Sequence, residues 1–332
     1  MKFGSVPVSE AAGAILAHSL DLGGRRLRKG VLLDAEHVSQ MQVADVSEVV
    51  VARLEPGDVP EDEAASVLAQ ALVPDSMAAD LTITKAFTGR VNLLAKGSGV
   101  AVLDVAAIEA LNRVHPMITL ATVPQHTQMN ARGMLATIKI ISYAVPGKAL
   151  EQVCACARES VKLARPKMQS ASLIITDIPG GAGEKGRGAI EARITALGLK
   201  MADVLVIPHT TAGLAEGLKR VGGDLTLILT GSATSDEKDV GPAALRAAGG
   251  HVARFGMPVD PGNLLFLGDL SGRPVIGLPG CARSPAINGA DWVLSRVVCG
   301  IEVTANDIAG MGVGGLLKEI PTRPQPRHVL KI

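Results

Sequence analysis

The sequence predicts an α/β protein in two parts: an α+β N-terminal domain, then a domain built on a parallel sheet. Two observations carry this. From about Pro166 onward, short aliphatic runs alternate with helical stretches of ten or so residues, the pattern of parallel strands joined by right-handed crossovers. Before about residue 150, short strands and short helices mix without that alternation, as in a mixed or antiparallel sheet. A chain of 332 residues is long enough for two separate cores.

In the first part, Val8 to Ala14 reads as a short helix, Ile15 to Leu20 as a strand, and Asp34 or Ala35 to Val43 as a helix. Glu48 to Ala52 (EVVVA) is a strand, and Pro56-Gly57-Asp58 a turn. Asp58 is expected to cap the helix that Glu61-Asp62-Glu63 opens and that runs to about Leu72, since acids favour the positive end of the helix dipole. Thr82 to Phe87, Val100 to Leu103, Met117 to Val123 and Ala136 to Ala144 read as strands, with a helix at Val105 to Arg113. Pro146-Gly147 closes a first domain of residues 1–150, and a helix from Ala149 to about Leu163 leads into a linker over 151–167.

In the second part, residues 168–316, the strands are Ser172 to Thr176, Val204 to Ile207, Leu225 to Leu229 and Pro274 to Leu278. The helices are Gly188 to Leu197, Thr211 to Val221, Gly241 to Ala248 and Ala286 to Val298. Residues 317–332 are expected as an extended tail, because Pro321, Pro324 and Pro326 argue against helix.

Composition narrows the function classes. Lys plus Arg number 33 and Asp plus Glu 32, a net charge of +1 that leaves no electrostatic footprint for nucleic acid. Aromatics make up 2%, too few for a base-stacking surface. No uninterrupted apolar run nears the roughly 20 residues of a membrane span. The N-terminus breaks up its apolar residues and carries Glu10, unlike a signal peptide. Four cysteines do not make a disulfide framework at this length, and Cys154 and Cys156 point to different sides of a helix. Free thiols in a reducing cytoplasm are expected.

Four loops at strand carboxyl ends carry the candidate chemistry. The first, Thr176 to Gly186, has four glycines that let backbone approach a ligand, with Asp177 at the strand end. It has neither the Gly-Lys-Ser/Thr ending of a P-loop nor the full Gly-x-Gly-x-x-Gly spacing. The second holds His209, with Thr210 or Thr211 to cap the next helix. The third, Thr230-Gly231-Ser232-Ala233-Thr234-Ser235, follows the buried run LTLIL; with Asp236 and Asp239 it stands before a helix, where free N–H groups suit an anion. The fourth is Gly277-Leu278-Pro279-Gly280-Cys281-Ala282-Arg283-Ser284, whose Arg283 and Ser284 suit a phosphate.

The third and fourth loops, with the span between them, resemble the molybdopterin-binding domain shared by molybdopterin adenylyltransferases and molybdopterin molybdenumtransferases. In that family a strand ends in Thr/Ser-Gly-Gly and an Asp follows seven residues later. Thr230, Gly231 and Ser232 occupy the first positions and Asp239 the acid. Glu237 falls where the molybdenumtransferase branch commonly has Glu. Met257 to Gly268, with Gly262, resembles that branch's Lys-Pro-Gly-Lys-Pro stretch, and Gly277-Leu278-Pro279-Gly280 its Gly-Leu-Pro-Gly-Asn-Pro loop. The resemblance covers about residues 168 to 315. The whole chain is also similar to the N-terminal unit of bacterial molybdopterin-binding/nucleotidyltransferase fusions, whose second domain is not expected within these residues.

The resemblance implies a three-layer, mixed-edge parallel sheet and a pterin ligand: molybdopterin, or its adenylylated or molybdenum-loaded form, with magnesium as an accompanying ion. The phosphate would meet the amides of Thr230 to Ser235, Thr234 included, and the loop of Gly277, Pro279 and Gly280. Asp236 and Asp239 would hold the metal and, in an enzyme, act in catalysis as a molybdate-inserting or adenylylating transferase. Arg283 and Ser284 would contact the anion, Cys281 would lie beside the dithiolene, and Asp177 and His209 would border the site. Three positions depart from the family: Ser232 stands for its second glycine, Cys281-Ala282 for its Asn-Pro, and His209 for the acid that ends the preceding strand. Losing one carboxylate weakens a metal clamp, so a non-catalytic carrier, or a scaffold, is the alternative to an enzyme. A molybdoenzyme or a nucleotidyltransferase would be the partner. The N-terminal part resembles the molybdenumtransferases only through Gly13 to His18 and the turn Leu27-Arg28-Lys29-Gly30, and is expected to cover the cleft or mediate self-association into a homo-oligomer.

Overall fold

A computed structural model describes residues 1–317, so the proline-rich tail lies outside the described residues apart from Leu317. The chain is a mixed α/β protein with several sheets, in two compact units. The first comprises residues 1–97, 101–125 and 131–163; the second comprises 98–100, 126–130 and the chain from Ala164 on.

In the first unit, strand Glu48–Arg53 is flanked by antiparallel strands Lys2–Pro7 and Ile15–Leu16. Helix Ala35–Val43 starts at a capping box of Asp34 and His37. Its Met41 packs with Val8, Leu16, Leu33, Val49 and Val51. The helix expected at Val8 to Ala14 is only a 3-10 turn, Val8–Glu10, because Gly13 is left-handed and turns the chain. The strand expected to Leu20 stops at Leu16, and Leu20–Asp21 starts a separate hairpin with Arg26–Leu27.

A second, four-stranded antiparallel sheet runs in the order Ile118–Thr122, Met134–Ile140, Arg90–Ala95, Leu81–Ile83. The strand expected over Thr82 to Phe87 therefore ends at Ile83, and its partner Arg90–Ala95 escaped the sequence reading. Ala136 to Ala144 divides into Met134–Ile140 and Ala144–Pro146, the latter paired with Asp58–Pro60.

Two further expectations are corrected. Asp58 does not cap helix Glu61–Leu72, which has no side-chain cap. Its carboxylate lies 2.7 Å from the N-terminal amine and accepts from the Glu55 amide at 2.8 Å. The helix expected from Ala149 to Leu163 is Gly147–Cys156, followed by strand Val161–Ala164. Left-handed Glu159 reverses the chain, and Val161 and Leu163 are buried while Lys162 is exposed, a strand's period of two.

The second unit holds a six-stranded sheet in the order Lys200–Pro208, Ser170–Asp177, Leu225–Leu229, Arg273–Leu278, Phe266–Leu270, His251–Phe255. The first four strands are parallel; each of the last two pairs antiparallel with its inner neighbour, and neither is announced by the strand–helix alternation. Leu225–Leu229 is buried at every position, as a central strand with both faces covered must be. Alternate side chains enter two cores. Leu173, Ile175, Leu227 and Ile276 pack with helices Arg187–Ala196 and Gly289–Val298. Ile174, Ile228 and Val275 pack with helices Thr211–Arg220 and Val240–Ala247. The helix expected from Ala286 begins at Gly289, where Asn288 and Asp291 form a capping box.

Candidate functional site

The chain leaves Ser170–Asp177 toward one side of the sheet and Leu225–Leu229 toward the other. Their carboxyl ends thus mark a topological switch point, where open α/β sheets accept ligands. The loop 178–186 follows the first strand and the loop 230–239 the second.

Thr176, which opens the first loop but was given no role from the sequence, joins them. Its fully buried side-chain oxygen accepts from the Gly231 amide at 2.9 Å and lies 2.7 Å from His209 Nδ1. The signal was present: a polar residue ends the apolar run SLIIT. A Cβ on Gly231 would stand 2.7 Å from the Thr176 carbonyl, so the third loop can press on the strand end only as glycine. The His209 amide donates to the Asp177 carbonyl at 2.9 Å, and Thr210 caps the following helix.

Arg283 is a bracket rather than a free anion contact. Its guanidinium donates to the carbonyls of Gly183 (3.2 Å) and Lys185 in the first loop and of Thr230 (2.9 Å) in the third. Burial lowers its pKa, against the nearby Asp177, yet a guanidinium stays charged at any working pH. Left-handed Gly186 lets the first loop lie on it, since a Cβ there would stand 2.6 Å from Arg283 Cα.

Arg193, also missed, plays the same part for the fourth loop. It pairs with Asp291 at 2.6 Å and donates to the carbonyls of Ala282, Ser284 and Ala286, each at 2.9 Å. Five donors in a rigid fork suit such multiple acceptance. Its sequence signal was a cation in the last turn of a helix that carries buried Ile190 and Ile194.

Asp239 is the N-cap of helix Val240–Ala247, accepting from the Ser235 amide at 3.0 Å and the Val240 amide at 2.7 Å. Its pKa is lowered, chiefly by the Ser235 N–H, then the Val240 N–H and the nearby His209, against partial burial. Asp236 is exposed and accepts from the Lys238 amide at 2.8 Å. Thr230 and Thr234 are buried with hydroxyls 3.5 Å apart, whereas Ser232 and Ser235 are exposed. Asp177 accepts from the Gly183 amide at 3.1 Å.

In the fourth loop, buried Pro279 precedes the 3-10 turn Gly280–Arg283, and Gly280 is exposed with open space around it. Ser284 is exposed, its hydroxyl accepting from the Ala286 amide at 3.2 Å. Cys281 is half-buried, and burial pushes its thiol above its ordinary pKa. Two glycines read as ligand contacts serve packing. Gly277 faces Phe266 across the strand pair, and a Cβ there would overlap the ring. Gly262, at φ 147°, lies against the Gly289 amide, 2.8 Å from where its Cβ would be.

The donor set fits an anion better than a resident magnesium ion. Both Asp239 oxygens already accept backbone N–H groups. Among the described residues no group of three or more His, Cys, Asp and Glu side chains converges as a metal site. Magnesium asks for oxygen ligands in near-octahedral array, and imidazole is not one.

A family model described as "Domain of unknown function (DUF8806)" matches residues 5–53. No curated protein matches the chain. Among solved structures, the chain is similar to the molybdopterin biosynthesis MoeA protein from Pyrococcus horikosii, at 14% identity and TM-score 0.30, over 94% of this chain and 76% of that one. It is also similar to a molybdenum cofactor biosynthesis protein from Pyrococcus furiosus, at 10% identity and TM-score 0.24, over 93% of this chain and 65% of that one.

Proposed function

We propose that this chain binds molybdopterin, free, adenylylated or molybdenum-loaded, and acts in the biosynthesis or maturation of the molybdenum cofactor. One observation carries the reading most: the loops that hold the family-like motifs meet at the switch point of the sheet, tied through Thr176, His209 and Arg283. Around that knot, exposed Ser232, Ser235 and Gly280 offer small side chains and backbone to a pterin phosphate. The three-layer arrangement, the cytoplasmic location and self-association belong to the same proposal.

A second reading, a non-catalytic carrier that presents finished cofactor to a modifying enzyme or an apo-enzyme, is favoured by Asp239. Its oxygens shape the loop, and His209 stands opposite in place of a second acid. Mass analysis of pterin co-purifying from cells competent for cofactor synthesis tests binding. Calorimetric titration with molybdopterin confirms it, and no uptake in either experiment refutes it. Asp239→Asn then separates the readings: turnover lost with binding kept marks an enzyme, and binding lost in a protein without turnover marks a carrier.

A further inference from the structure

Resting on that reading of the site, we propose that it takes the pterin phosphate without magnesium, with His209 supplying the contact that a metal would make. The argument starts at Thr176. Its single oxygen already accepts the Gly231 N–H at 2.9 Å, and the hydroxyl proton remains to be donated. Its other hydrogen-bond partner is His209 Nδ1, 2.7 Å away. Donation from Gly231 to Thr176 to His209 forms a one-way chain whose bonds polarise one another. It leaves the imidazole proton on Nε2, at the far side of a ring that is only half-buried. His209 is thereby a pre-oriented N–H donor for a phosphate oxygen. Thr176 is its positioning residue and fixes the Gly231 amide as well.

The acids around this donor are arranged for structure. Asp239 caps its helix and holds the Ser235 amide, and Asp177 holds the Gly183 amide. Asp236 holds the Lys238 amide and is exposed. A magnesium ion bridging protein and phosphate needs carboxylates free to turn toward it, usually one or two with waters completing the octahedron. The acid best placed to do so would stand at 209, and imidazole is a poor ligand for so hard an ion. Hydrogen-bond donors fixed in advance do the ion's work without its coordination demands.

The test is calorimetric titration of the full chain with molybdopterin under anaerobic conditions, once with excess chelator and once with millimolar magnesium. The affinity is expected to agree within about twofold between the two buffers. His209→Asp restores a carboxylate and is expected to bind at least about tenfold more tightly with magnesium than with chelator, about 1.4 kcal/mol. Thr176→Val is expected to weaken metal-free binding by about tenfold without creating a magnesium response. The wild-type pair of titrations decides the matter even where a variant does not fold. A wild-type affinity about tenfold higher with magnesium overturns the inference and leaves pterin binding standing. Heat in neither buffer overturns the pterin reading itself.

Discussion

Gly277→Ala separates packing from ligand binding at a position the motif alone assigns to the ligand. Gly277 lies directly opposite Phe266 in the antiparallel pair, and Phe266 is 1% exposed. A Cβ at 277 would overlap three ring atoms. Even Cζ would stand 2.5 Å away, against the 3.4 Å at which ordinary contact begins. The ring would have to withdraw by about an ångström, and the Gly241 backbone lies close on another side, where an added Cβ would stand 2.9 Å from Cε1. Overpacking of this kind costs roughly 1–3 kcal/mol, and a ring held on two sides belongs at the upper end. The single tryptophan, Trp292, packs against the core of the same unit, so its fluorescence in urea reports this unit's unfolding. Phe266→Leu frees the space, so the double variant should be no less stable than Phe266→Leu alone, a coupling of at least about 1 kcal/mol. A loss under about 0.5 kcal/mol for Gly277→Ala, or no recovery with leucine at 266, would refute the packing argument.

Arg283→Ala should cost about 1–3 kcal/mol by leaving the carbonyls of Gly183, Lys185 and Thr230 without their charged donor. Arg283→Lys should not restore it, since an ammonium cannot fork to two loops; proteolytic cleavage within 178–186 should rise in both variants. The lowered pKa of Asp239 means its contribution to stability is complete above the ordinary carboxylate value of about 3.9 and fades as pH falls through the lower native value. Asp239→Asn should therefore flatten the acid limb of a Trp292-detected stability profile, and an unchanged limb would contradict this. Burial pushes the Cys299 thiol up to about 11, whereas Cys156 is exposed. Iodoacetamide near neutral pH should label Cys156 first and Cys299 last, as followed by mass spectrometry of the peptides.

What could be read from the sequence was what neighbours along the chain decide. LTLIL is buried at every position, Thr226 included, because both faces of its strand are covered, and its four aliphatic residues in five identify a central strand. Thr210, offered with Thr211 as a cap, accepts from the amide three residues on, a partner that a local rule suffices to find. Strands Arg90–Ala95 and His251–Phe255 mix polar residues into their runs and so gave a weak period. Asp58 looked like a cap until the folded chain brought the N-terminal amine to it from 57 residues away. The candidate site divides in the same way. Its loops, with Gly231, His209 and Asp239, were legible as strand ends followed by small residues and helix starts. The roles within it were not, because Thr176 meets Gly231 across 55 residues and Arg283 meets Lys185 across 98. A side chain's partner at that separation depends on strand order and register, which no local pattern specifies. The tertiary structure therefore decided that Arg283 braces the loops, that Gly277 makes room for a ring, and that His209 is held by a hydroxyl.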